Sequence, residues 1–376
     1  MFNPTEKENR FSFIRDLMRE KNLGAVLVLG NACVGTNAYG CFRYLTDIRV
    51  CIHVLPAVFS VNSEPVCFVP DEATKQEVSG GFIDNLTVTG DFAVSIAEYL
   101  EKSGVRDGLV GTNLDLLPLS WRQKICSLLP GLSFTDVSED IFAFRNHHSD
   151  EELSRIRKCA ELADASYKAV LDNVKAGMTE QDIAAEIDHA AEKLGAEYNF
   201  TLISTGKFSL SDNRLKPIRA ATMLNRTLAE GECIAMEITP RYEGYWTQLV
   251  RTVSAGEPDE DLKWIHGICN EVIEETLPEL YPGNRIGNIA EKVKQSTESR
   301  GCIFSLPCGH ICGQDLNEER LSPDNDRLLE PGMAVILHPT IRTDSIPNGI
   351  FWGQTYLITE DGFEPLMKSD TELKSI

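Results

Sequence analysis

The segment that most limits the fold of this 376-residue chain runs from Gly231 to Thr252, GECIAMEITPRYEGYWTQLVRT. Apolar and β-branched residues alternate with others in two runs, Cys233–Thr239 and Tyr245–Ser254, with Glu243-Gly244 between them. Such runs around a short Gly-containing connection predict a β-hairpin. Two polar residues interrupt the apolar pattern, Glu237 after Ile-Ala-Met and Gln248 before Leu-Val. A buried carboxylate or amide is costly without a partner, so both mark a candidate site. Taken alone, the hairpin equally suits polar side chains facing water.

With 42% hydrophobic and 25% charged residues, the chain has the composition of an ordinary globular protein and is long enough for two domains. A net charge of −21 argues against nucleic-acid and anionic-membrane partners, whose phosphates call for Lys and Arg. No charged-then-apolar leader opens the sequence and no apolar run approaches membrane-spanning length, so a cytoplasmic protein is expected. The eleven cysteines lack paired CxxC spacing, which fits buried small side chains in a reducing compartment. Cys308 and Cys312 flank His310 and leave open a metal cluster or an imidazole-activated thiol.

In the N-terminal part, Asn9–Lys21 has helical spacing through Phe11, Ile14, Leu17 and Met18. Ala25-Val-Leu-Val-Leu, Cys51–Phe59, Pro65–Val69 and Gly108–Gly111 read as strands, and Phe92–Lys102 and Ser120–Leu128 as helices. This alternation predicts a small mixed sheet covered by helices. The boundary falls near Arg145–Ser149, giving domains 1–147 and 148–376. Ser149 with Glu152 forms a capping box that opens a long helix, and Thr179 with Asp182 opens the next. Asp261–Leu277 is amphipathic, with Trp264 expected at the core edge and His266 on the surface.

Three later stretches complete the pattern: PCGHICG at 307–313, LEPGMAVILHP at 329–339 and NGIFWGQTYLIT at 348–359. With the hairpin, in this order, they resemble the creatinase, aminopeptidase P, prolidase and methionine aminopeptidase family, the pita-bread fold. The matches are Gly244, Tyr245, Arg251 and Thr252 in the hairpin, Gly309, His310 and Gly313 in the Gly-His loop, and Pro331, Gly332 and Met333. The resemblance implies an α/β (α+β) protein of two domains, with a small mixed-sheet N-terminal domain and a pita-bread C-terminal catalytic domain. It also implies a homodimer in which the Gly35–Arg49 segment reaches towards the neighbour's site.

Peptidases of this family hold two metal ions with two Asp, one His and two Glu. The matching positions here are Glu237, Gln248, His310, His338 and Gly353, a set with one carboxylate in place of four. A two-metal centre needs anionic bridging ligands, so a divergent member without that centre is expected. The family's histidine before the hairpin falls near Ala220, and its second one on Asn317. The resulting expectation is a metal-independent, creatinase-like hydrolase cleaving a C–N bond of a small polar amidino or amide substrate. His310, His338 and Glu237 would be catalytic, and Gln248, Asn317, Gln354, Trp246, Trp352, Lys216 and Arg219 would bind substrate. No metal or other cofactor is expected, with a single Zn or Fe at Glu237, His310 and His338 as the alternative. A lyase or decarboxylase acting on a small carboxylate, and a non-catalytic pseudopeptidase, are the other readings.

Overall fold

The computed structural model describes residues 2–31, 40–50, 54–206, 216–217, 226–343 and 349–376. Its contacts divide the chain into two compact units, Met1–Arg145 and Asn146–Ile376.

The first unit is built on a six-stranded mixed sheet. Its order is Asn85–Val88, Ser63–Val69, Val54–Ser60, Leu23–Asn31, Asp107–Thr112 and Gly131–Asp136. Ala25, Leu27 and Leu29 supply the centre of a core that helix Phe92–Lys102 closes with Ile96 and Leu100. The first helix spans Pro4–Glu20 and begins earlier than its apolar spacing predicts. Asn3 caps it by accepting the Glu6 amide at 2.9 Å, and Pro4 suits the first turn.

Of the segment expected to reach a neighbour, 35–39 lies outside the described residues, while Gly40–Thr46 is a buried helix. Phe42 and Tyr44 pack inside their own domain. The Tyr44 ring lies 4.0 Å from the Arg10 guanidinium, and its carbonyl accepts from that group at 2.7 Å.

In the second unit both capping boxes form, at Ser149/Glu152 and Thr179/Asp182, and they start helices Asp150–Asn173 and Glu180–Lys193. The large sheet runs Glu319–Arg320, Gly309–Cys312, Ala334–Leu337, Gly353–Thr359, Leu249–Ser254, Cys233–Tyr242, Tyr198–Gly206 and Lys216–Pro217. The hairpin turns at Glu243 and Gly244, with φ of 44° and 94°. Two successive left-handed residues match the right-handed twist of the flanking strands, which is why a Gly belongs there.

The second hairpin strand is broken. Tyr245–Trp246 and Leu249–Ser254 are separate, and between them the Gln248 amide donates to Thr355 Oγ1 at 2.9 Å.

Helices Glu260–Thr276 and Ile286–Ser299 bury Ile265, Val272, Ile289 and Val293 against Val335, Leu337, Trp352 and Tyr356. This covers one face of the sheet. His266 is buried on that side and Trp264 is 45% exposed, the reverse of the sequence expectation. His266 follows Leu262 by four residues and therefore shares its inward stripe. Among the described residues, no helix is long and apolar enough to cross a membrane.

Candidate functional site

Residues paired across a ladder point to the same side of a sheet, and successive residues to opposite sides. Glu237 pairs with Val250, and Val250 with Gly353. His310 pairs with Ile336, and Ile336 with Thr355. This register brings Glu237, Gln248, His310, His338 and Gly353 to the face opposite the two helices. Every member with a side chain is more than nine-tenths buried.

On this face the His310 and His338 rings stand edge to face, with centroids 5.3 Å apart, and His338 meets Phe351 in the same way at 5.2 Å. The Gln248 side-chain Nε2 donates to Thr239 Oγ1 at 3.3 Å. Gln248 Oε1, His338 Nδ1 and Trp246 Nε1 are buried without a hydrogen-bond partner. Buried polar atoms are almost always partnered, so three such atoms along one face leave hydrogen-bonding capacity for a guest. Thr239, Thr355 and Phe351 shape the site and were missed by sequence reasoning. Thr239 and Thr355 each lie two residues from a site position, so strand periodicity would have found them.

Burial sets the charge state. It raises the Glu237 carboxyl to about 8, with Gln248 beside it pulling the other way. Burial lowers His310 to about 4 and His338 to about 3, helped in the latter by the neighbouring imidazole. At neutral pH the face therefore carries a protonated carboxyl and two neutral imidazoles. It is a polar site without net charge.

Several expected substrate contacts need correction. Gln354 and Trp352 lie on the helix-covered face. Gln354 Oε1 accepts from Arg251 Nη2 at 3.0 Å, and Trp352 packs against His266 with ring centroids 4.5 Å apart. Motif position identified these residues, but strand alternation turns them away from Glu237. Trp246 stays beside the site, fully buried, with its ring 5.1 Å from the Arg241 guanidinium. Asn317 is half-buried in the turn that follows Gly309–Cys312. Lys216 falls in the two-residue strand Lys216–Pro217, but its side chain is outside the described residues, as are Arg219 and Ala220. Cys308 and Cys312 are fully buried, and burial raises the first thiol to about 12 and the second well above its ordinary value, which removes both from thiolate chemistry.

The two-metal arrangement does not fit these residues. A Cβ at Gly353 would lie 2.0 Å from the Leu337 carbonyl oxygen and 2.5 Å from His338 Cα, so a carboxylate cannot be restored there without moving backbone. Among the described residues, no group of three His, Cys, Asp or Glu side chains is placed to hold a metal ion.

The sequence matches Metallopeptidase family M24 over residues 154–360 and the Creatinase/Prolidase N-terminal domain over 10–147. An uncharacterized peptidase of Staphylococcus aureus strain MW2 is 30% identical over 240 residues, or 62% of this chain and 66% of the relative. The fold is similar to that of an X-Pro aminopeptidase from Thermotoga maritima, with a TM-score of 0.85 at 19% identity, covering 97% of this chain and 99% of that one. An Xaa-Pro dipeptidase from Bacillus anthracis gives the same score and identity over 98% and 100%.

These relatives carry peptidase names, and they overturn the expectation of a creatinase-like hydrolase acting on a non-peptide C–N bond. They favour neither the lyase or decarboxylase reading nor the pseudopeptidase. The chain belongs to Metallopeptidase family M24 and carries that family's pita-bread domain behind a creatinase/prolidase-type N-terminal domain.

Proposed function

We propose that this protein is a hydrolase that cleaves the peptide C–N bond of a short peptide on the Glu237–Gln248–His310–His338 face. The relatives named as peptidases support the reaction class, and the X-Pro aminopeptidase and Xaa-Pro dipeptidase folds make proline-containing dipeptides and tripeptides the first substrates to try. The observation that carries the reading is the row of buried, unpartnered polar atoms on one face of the sheet, Gln248 Oε1, His338 Nδ1 and Trp246 Nε1.

Amide cleavage needs a group to take the proton of an attacking water and another to protonate the departing nitrogen. One of the two neutral imidazoles, His310 or His338, accepts the first proton. Glu237, which keeps its proton up to about pH 8, donates the second. Imidazoles lowered this far are weak bases, so a slow enzyme is expected. Gln248, its side chain held by Thr239 and its backbone N–H by Thr355, orients the substrate amide. The N-terminal domain's resemblance supports a homodimer, which sedimentation of the full chain would test.

The direct test incubates the full chain with Ala-Pro, Gly-Pro, Phe-Pro and Ala-Pro-Ala and follows free amino acids by mass spectrometry. Hydrolysis should fall about 100-fold or more in Glu237→Gln and in His338→Asn. Equal turnover in wild type and Glu237→Gln, with and without chelator, would place the chemistry elsewhere.

A further inference from the structure

The break in the second hairpin strand is bridged by a single hydroxyl. Val250 pairs with Gly353 and Leu249 with Gln354, so a continued antiparallel register would next set Gln248 against Thr355. The ladder stops at Leu249 instead. From Tyr356 onwards the strand pairs with Gly362–Pro365, and the Thr355 carbonyl is taken by the Leu366 amide at 3.1 Å. The side chain of Thr355 makes both bonds to Gln248 in place of the backbone. Its Oγ1 accepts from the Gln248 N–H at 2.9 Å and donates to the Gln248 carbonyl at 3.0 Å.

The start of the break is fixed as well. The Trp246 amide donates to the Gly313 carbonyl at 2.9 Å, which ties it to the loop after His310. Thr355 itself pairs with Ile336, and Ile336 with His310. One hydroxyl therefore joins Gln248 to the strands that carry the histidines. The side chain of Gln248 has a weaker hold of its own, since its Nε2 contact with Thr239 is a long one at 3.3 Å. Thr355, Gln248 and Thr239 are all buried, so water does not replace a bond that is lost.

We propose that Thr355 is a positioning residue for Gln248. Its hydroxyl fixes the main chain from which the Gln248 amide reaches the site, and so sets that amide relative to Glu237, His310 and His338. The proposal rests on the reading of Gln248 as the group that orients the substrate amide. It assigns the role to the hydroxyl alone: valine has the shape of threonine without either bond, and serine keeps both.

The test compares wild type, Thr355→Val and Thr355→Ser on a peptide that the wild type cleaves. Thr355→Val should lower kcat about tenfold or more with KM held within about twofold, because a displaced orienting group acts on the reacting geometry. Thr355→Ser should restore kcat to within about threefold. Ile289→Ala, in the core of the helix-covered face, should lower the melting temperature and leave kcat unchanged below it. A second readout needs no turnover. With glutamine labelled by heavy nitrogen, the Gln248 side-chain signal, assigned by its loss in Gln248→Leu, should move in Thr355→Val and return in Thr355→Ser. Thr355→Cys, whose thiol bonds more weakly, should move it in the same direction and serves where valine does not fold. An unchanged kcat or an unmoved Gln248 signal on loss of the hydroxyl, or a serine variant no better than valine, overturns the proposal. A wild type that cleaves no peptide overturns the peptidase reading instead, and the Gln248 signal then decides the positioning role.

Discussion

The two faces of the C-terminal sheet solve opposite electrostatic problems with the same strands. On one face Glu237, His310 and His338 are buried among few partners, and each shifts towards its neutral form. On the other, Arg251 cannot lose its charge and is met by carbonyl oxygens instead. A titratable group answers burial by changing protonation, whereas a permanent cation answers by recruiting dipoles. The first face is therefore the more sensitive to pH, and Arg251 on the second to removal of its hydrogen-bond acceptors.

The largest effect expected from any single change is at Gly353. Replacing it with Glu should cost about 4 kcal/mol or more in denaturant unfolding, because its Cβ meets backbone on the neighbouring strand. A stable Gly353→Glu chain that binds zinc would remove the contrast between this face and a two-metal centre. Next, Arg251→Met should cost about 3 kcal/mol by leaving the Val250 and Gly353 carbonyls unpartnered in the interior.

The pH dependence separates the faces more finely. Glu237 has an ordinary value of 4.5 and a folded value of about 8, so its burial lowers stability progressively as pH rises through that window, and fully above it. His310 and His338 are lowered from 6.5 to about 4 and 3, so their burial costs nothing above 6.5 and progressively more as pH falls. Together they place the site's best contribution near pH 6.5. Glu237→Gln should flatten the alkaline limb of unfolding midpoints measured from pH 5 to 9. His266, lowered to about 4 on the other face, adds to the acid limb alone. The smallest effect is at Thr239→Val, which loses one hydrogen bond to Gln248 and should cost about 1 kcal/mol.

Local chemistry made much of the fold legible. The capping boxes at Ser149 and Thr179 and the left-handed turn at Glu243-Gly244 formed where short-range sequence placed them. The Gly40–Thr46 helix was not legible, since it is held by burial around Phe42 and Tyr44 rather than by its own propensity. In the candidate site, the motif register named Glu237, Gln248, His310 and His338, which share one face of the sheet, whereas it assigned Gln354 and Trp352 to a face that one step of strand alternation excludes. The reaction class was misjudged for a different reason. The substituted ligand positions describe what the site lacks, while kinship with peptidases comes from the scaffold around them.

The close approach at Gly353 also constrains which changes to this chain are open to it. With the Leu337 carbonyl where a first side-chain carbon would stand, any route to a carboxylate at this position begins with a strand displacement and a poorly folding intermediate. A carboxylate cannot be placed here by one substitution alone, so the chemistry on this face has to be elaborated from an amide, two imidazoles and a single acid.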